Sequence, residues 1–170
     1  MPENKRILVF GFKPYHNYGS NITESIIKKF QESSSLKKER FDVKFDANIF
    51  IKAIKEHKPD IVIGLGQCAT GNKIRIERKA VNRKKEDFNS KSLPIKQNSP
   101  KTLSLSLKIP KDKDSWISYY AWDYVCNFAM YVIASYIKGK NIKFGFIHIP
   151  YNYDEKKATL KIRELIKQLN

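Results

Sequence analysis

At 170 residues the chain has room for one full hydrophobic core, and 41% apolar with 29% charged residues is the balance of a folded chain, which excludes a disordered one. Two cysteines exclude a disulfide framework, and no apolar run approaches the ~20 residues of a membrane span. No basic-then-apolar leader opens the sequence, so a single domain over residues 1–170 in the reducing cytoplasm is expected. The formal net charge is +16, from 33 Lys and Arg against 17 Asp and Glu, which raises nucleic acid and membrane surfaces as partners. The lysines, however, are spread over every segment, often as KK or KxK pairs, and predict a solvated coat. Nucleic-acid binding is therefore not the expected role, though charge alone leaves it open.

Residues 6–10 (RILVF) are a run of β-formers closed by Gly11 and predict a buried strand. Residues 11–21 follow as a loop. Ile22, Ile26, Ile27 and Phe30 then recur at helical spacing behind Asn21, a candidate N-cap. Residues 31–39 are polar and predict a turn, and 40–45 alternate Phe41, Val43 and Phe45 as a strand. A helix is expected over 48–57, with Phe50, Ala53 and Ile54 on one face and Pro59 stopping it. Residues 60–65 (DIVIGL) predict a second buried strand.

Residues 73–78 (KIRIER) alternate as a strand with Glu77 near its end. Residues 83–100 are polar, basic and aperiodic, and predict a mobile loop. Leu103, Leu105 and Leu107 make 101–107 a half-buried strand, with a polar connection over 110–115. A helix over 124–137, a strand over 143–149 and an amphipathic helix over 154–169 complete the chain, the last with Ala158, Ile162, Leu165, Ile166 and Leu169 inward. This alternation predicts an α/β fold: a three-layer α/β/α sandwich with a mostly parallel twisted sheet and helices on both faces. Ligands in such sheets bind beyond the carboxyl ends of the strands, which puts a site at the loops 11–21 and 66–73.

Three side chains at predicted element ends could form one catalytic unit. Cys126 falls in the first turn of a helix, where unpaired N–H groups and the positive end of the macrodipole favour the thiolate. His148 closes a strand just before Pro150 and would take the thiol proton, then return it to a leaving amine. Glu77 would fix the imidazole tautomer. Each also has a structural reading: Cys126 as an inert buried thiol, His148 as a core histidine, Glu77 as an ion-pair partner of Arg75 or Arg78. The histidines and cysteines have no zinc spacing, and GLGQCATG fits neither the dinucleotide fingerprint nor the phosphate loop, so no metal and no nucleotide is expected.

Four segments, in order, resemble the pyroglutamyl peptidase I (pyrrolidone-carboxylate peptidase) family of cytoplasmic cysteine omega-peptidases. GFKPY with Asn21 ahead of a helix is similar to the family's GFxPF opening. GLGQ (64–67) and IRIERKAVN (74–82) resemble the segment carrying its catalytic glutamate. SYYAWDYVCN (118–127) resembles the segment around its catalytic cysteine, and GFIHIP the strand end presenting its catalytic histidine. The resemblance implies a thiol protease that removes an N-terminal pyroglutamyl residue from a peptide, without metal or organic cofactor. It implies Cys126 as nucleophile, His148 as general base and acid, and Glu77 as the orienting carboxylate. It implies a largely apolar lactam pocket at Phe12, Tyr15, Tyr124 and Val125, with Gln67 as polar neighbour. It also implies a homo-oligomer, dimer or tetramer, to which the aromatics Trp116, Tyr119 and Tyr120 could contribute.

Several positions depart from the family pattern. Its Ala-Gly pair before the cysteine is Ala121-Trp122, its second pocket phenylalanine is Tyr15, and the Gly-Gly after that is His16-Asn17. The residue after its serine is Tyr119, and the Gly-Gly-Arg stretch after its glutamine is Cys68–Asn72 (CATGN). The segment 110–126 is shorter than the pattern, as though a flanking helix were missing. The alternatives are an enzyme with the same nucleophile acting on another amide, an inactive relative, or a basic binding module on the same scaffold.

Overall fold

The computed structural model describes residues 4–170. Along the chain lie β1 (Ile7–Phe12), α1 (Ile22–Lys28), β2 (Leu36–Phe41), α2 (Ala47–His57), β3 (Ile61–Cys68), β4 (Ile74–Glu77), β5 (Lys79–Val81), β6 (Thr102–Ser104), β7 (Ser115–Ser118), α3 (Val125–Ile137), β8 (Lys143–Pro150) and α4 (Glu155–Leu169). Six strands make the main sheet in the order β2-β1-β3-β8-β4-β7. The first four are parallel, and β4 with β7 run the other way, joined to the rest by an antiparallel β4–β8 pairing. The α/β fold with a mainly parallel sheet is thus as expected.

The central strands are apolar on both faces because helices cover both. Val62, Phe10, Phe144 and Phe146 face α2 and α3, while Ile61, Ile63, Leu65, Val9 and Ile147 face α1 and α4. Two cores, one on each face, clamp the sheet between them. Gly64 is required by that packing, since a Cβ there would sit 2.4 Å from the Phe146 ring and 2.6 Å from that of Phe10.

Local chemistry sets the helix ends. Asn21, Asp46 and Asp154 cap α1, α2 and α4 through side-chain oxygens that accept backbone N–H bonds. Lys58 ends α2 in the left-handed region (φ 44°), immediately before Pro59. Alone of the four, α3 has no capping side chain: its N-cap is Tyr124, and its first-turn N–H groups are left for other acceptors.

The edges differ from the expected elements. The turn expected over 31–39 and strand over 40–45 give way to β2 at Leu36–Phe41, paired residue for residue with β1. An edge strand is held on one side by backbone bonds, so Lys37, Lys38, Glu39 and Arg40 can occupy it without an apolar alternation. At the end of the expected polar connection and beyond it, Ser115–Ser118 forms the other edge, parallel to β4. The strand expected over 101–107 stops at Ser104. Beyond it the chain turns to meet β8, with the Leu107 N–H donating to Phe144 O (2.8 Å) and the Phe144 N–H to Ser106 Oγ (2.9 Å). Residues 83–100 are irregular, as expected, but fastened: the Asn82 side chain exchanges two hydrogen bonds with the Lys96 backbone, and Lys84 bridges to Leu93.

Candidate active site

The site forms where β3 and β8 end. On β8, Phe144, Phe146 and His148 share the face turned to α3, and on β3 the same face carries Gly64, Gly66 and Cys68. Gly66 pairs with His148 across the two strands. The missing side chain at Gly66 leaves the space that α3 uses. An ideal Cβ there would lie 2.8 Å from Cys126 Sγ, 2.8 Å from His148 Cδ2 and 2.9 Å from His148 Nε2. Sulfur and ring nitrogen therefore face one another across the empty position.

Glu77 arrives from β4, which runs antiparallel beside β8 with Arg75 opposite His148 and Glu77 opposite Phe146. Arg75 and Glu77 share a face, so the glutamate reaches His148 diagonally. Glu77 Oε1 lies 2.8 Å from His148 Nδ1, with both residues buried. The bond assigns Nδ1 to the carboxylate and turns Nε2 to the sulfur. Arg75 instead donates to Thr70 (O 2.8 Å, Oγ1 3.0 Å) and lies over the Trp116 ring, and Arg78 donates to Ile109 O. The ion-pair reading of Glu77 gives way to the His148 contact.

Burial opposes charge on His148, but the Cys126 sulfur beside it and the Glu77 carboxylate outweigh that cost and push its pKa up to about 10. The ring holds its proton through neutral pH and loses it as pH rises through that value. Cys126 itself is the second residue of α3, inside the first turn, whose N–H groups no capping side chain takes up. The Cys68 thiol, two residues beyond Gly66 on the same face, is pushed up by burial, with His148 and Arg75 acting against the shift.

The five residues matched to the lactam pocket separate into two groups. Phe12 is almost wholly buried, its ring packed on Phe10 and Phe50, and Val125 is buried in the same core. They lie beneath the site as packing. Tyr15, Gln67 and Tyr124 stand nearer its surface: Tyr124 is half-exposed at the α3 N-cap, and the Tyr15 hydroxyl faces the Gln67 amide and senses the charge of Cys126.

Three supports were not read from the sequence. Gly66 was legible only as one of several glycines, and nothing local announces that a sulfur from α3 fills its place. Asn127, buried next to Cys126, binds the Val81 N–H (2.9 Å), Val81 O (2.9 Å) and Arg83 O (2.8 Å), pinning the start of α3 to β5 just beyond Glu77. Asp123, also buried, accepts from Tyr120 Oη and Ser92 Oγ and forms an ion pair with Arg83 (3.4 Å). Immediately before Asp123, Trp122 takes φ 64°, a left-handed conformation costing an L residue roughly 1–2 kcal/mol. The family pattern has glycine there, and also at His16, another positive φ (50°). Trp122 therefore keeps a glycine backbone while its half-exposed indole meets the Tyr120 ring at a tilt, 5.7 Å between centroids.

The fold has solved counterparts. Pyroglutamyl peptidase I of Bacillus amyloliquefaciens matches with TM-score 0.84 at 24% identity, covering 94% of this chain and 93% of that one. The pyrrolidone carboxyl peptidase of Thermococcus litoralis matches with TM-score 0.80 at 25% identity, covering 97% and 92%. In sequence, the T. litoralis pyrrolidone-carboxylate peptidase is 29% identical over 89% of this chain and 79% of its own length. Pyrrolidone-carboxylate peptidase 1 of Caldanaerobacter subterraneus is 31% identical over 86% and 82%. A family model described as pyroglutamyl peptidase matches residues 5–162. The chain belongs to the pyroglutamyl peptidase family. Among the described residues no group of His, Cys, Asp and Glu could hold a metal ion, and no helix is long and apolar enough to cross a membrane.

Proposed function

We propose that this protein hydrolyses the amide bond after an N-terminal pyroglutamyl residue, with Cys126, His148 and Glu77 as one catalytic unit. The observation that carries the reading is the continuous contact from Glu77 Oε1 to His148 Nδ1 (2.8 Å), with Nε2 and Cys126 Sγ sharing the space over Gly66. With Nε2 already carrying the proton drawn from the thiol, the Cys126 sulfur attacks the carbonyl carbon next to the lactam ring. Negative charge developing on the carbonyl oxygen is met by the open N–H groups at the start of α3. The imidazolium then gives its proton to the leaving amine, and the peptide departs as a free N-terminus. Water, deprotonated by His148, attacks the thioester; the tetrahedral intermediate collapses, releasing pyroglutamate and leaving the sulfur beside the imidazolium that water's proton has restored. Glu77 holds the ring tautomer and balances its charge throughout. Every step uses protein side chains and water, and the free thiol it requires suits the cytoplasm.

An uncharged lactam would suit the largely apolar pocket that the resemblance assigns to Phe12, Tyr15, Gln67, Tyr124 and Val125, because apolar walls cannot compensate the charge of ordinary glutamate. The test is release of a chromogenic amine from a pyroglutamyl amide. The wild type should turn the substrate over, and Cys126→Ser should reduce kcat/KM by on the order of 10³ or more. Turnover of the Cys126→Ser protein at the wild-type rate would refute the assignment. A folded wild type that is inert on this substrate but cleaves another acyl amide would refute the pyroglutamyl specificity.

A further inference from the structure

The loop between β1 and α1 carries a hydroxyl that the catalytic unit does not use. Tyr15 is held from several sides: its carbonyl accepts from the Tyr18 N–H (3.1 Å), and its ring meets His16 at 5.4 Å and Tyr18 at 5.3 Å. Tyr18 in turn meets Tyr151, beyond the end of β8, at 6.1 Å. The aromatic chain thus ties the loop to the strand that carries His148. The phenol end of Tyr15 reaches inward to Gln67.

Gln67 is itself an incomplete group. Its Oε1 accepts the Ile22 N–H at 2.9 Å, which fixes the plane of the amide and turns Nε2 the other way. Nε2 is buried and has no hydrogen-bond partner, in a residue only 8% exposed. Amide and phenol face each other. A buried donor without an acceptor is costly unless a ligand supplies one. Burial first, then the neighbouring Cys126, push the Tyr15 hydroxyl up to about 12, so it keeps its proton and is a donor throughout the physiological range. Two neutral donors therefore meet beside the sulfur and want one acceptor.

We propose that the Tyr15 hydroxyl is a specificity-determining donor, which together with Gln67 Nε2 binds the ring carbonyl oxygen of a lactam next to Cys126. The proposal rests on the pyroglutamyl reading for its substrate class and adds the residue that selects the lactam oxygen. The acceptor is a neutral carbonyl, because the environment that keeps the phenol protonated also opposes a second negative charge. A ring without the carbonyl leaves both donors unpaired and is rejected. In the family pattern this position is phenylalanine, so the hydroxyl is a feature of this chain.

The experiment measures protection of Cys126 from iodoacetamide by 2-pyrrolidone, scored as the ratio of protected to unprotected rates in each protein, together with steady-state kinetics on a pyroglutamyl amide. Tyr15→Phe keeps the ring and removes only the hydroxyl. The half-protecting lactam concentration should rise roughly three- to tenfold in Tyr15→Phe, the loss of one neutral hydrogen bond, and KM should rise more than kcat falls. Equal protection of the two proteins, or no protection of the wild type, overturns the inference. The outcomes also separate the two readings. Tyr15-dependent protection in a wild type that does not cleave pyroglutamyl amides leaves the lactam site standing without the proposed reaction. Cleavage with Tyr15-independent protection removes the inference alone.

Discussion

Gly66→Ala should lower kcat/KM for a pyroglutamyl amide by at least about 10²-fold while leaving the protein folded. The backbone at Gly66 is ordinary strand, so alanine adds no conformational strain. What it adds is a methyl group 2.8 Å from Cys126 Sγ and 2.8 to 2.9 Å from the His148 ring, closer than real Cβ atoms come. One of the two must move. His148 is tied to Glu77, and Cys126 sits on a helix pinned by Asn127, so displacement of either breaks the alignment that proton transfer requires. The comparison is Gly64→Ala, two residues back on the same face, where the added methyl meets the Phe146 and Phe10 rings and its effect is read in stability instead. Kinetics beside thermal melts distinguish the two, and near-normal turnover in a folded Gly66→Ala protein would refute the geometry.

Glu77→Gln should cost on the order of 10³-fold in kcat/KM and shift the alkaline limb of its pH profile downward. The sign follows from the site. The His148 pKa is raised in part by the Glu77 carboxylate, so the imidazolium persists at neutral pH and is lost as pH climbs through about 10. Removing that carboxylate lowers the value, and the proton that His148 must donate is lost at lower pH. Where glutamine turns its N–H₂ to Nδ1, that group can only donate, which reverses the tautomer required at Nε2. The carboxylate is buried, and its Oε2 has no other hydrogen-bond partner. His148→Ala would therefore strand a buried charge at several kcal/mol, which makes Glu77→Gln the cleaner probe. An unshifted alkaline limb would show that Glu77 does not govern the ring.

The centre of this fold is legible in the sequence because its strands are buried on both faces. RILVF, DIVIGL and KFGFIHIP read as continuous apolar runs, and they became β1, β3 and β8 with small changes at their ends. The edges were not legible, for the opposite reason. KKER in β2 and SWIS in β7 need only one line of backbone bonds, and their side chains carry no period that reports it. The candidate site divides the same way. Cys126, His148 and Glu77 could be found from element ends and from resemblance, because strand and helix termini concentrate reactive groups. Gly66 could not, since its importance lies in what α3 places over it. Nor could the strain at Trp122, where a tryptophan occupies a backbone shape that only φ discloses. The demand of the orphaned Gln67 Nε2 for an acceptor appears only once Ile22 is seen to hold the other end of the amide.

The central claim is that Cys126 becomes acylated by the pyroglutamyl group. Its most direct test is mass spectrometry of protein mixed with a pyroglutamyl ester, quenched in acid within the first turnover and digested. A pyroglutamyl thioester on the peptide containing Cys126, absent from Cys126→Ser, is the predicted result. Steady turnover with no adduct on Cys126, or with the adduct on Cys68, would contradict the account.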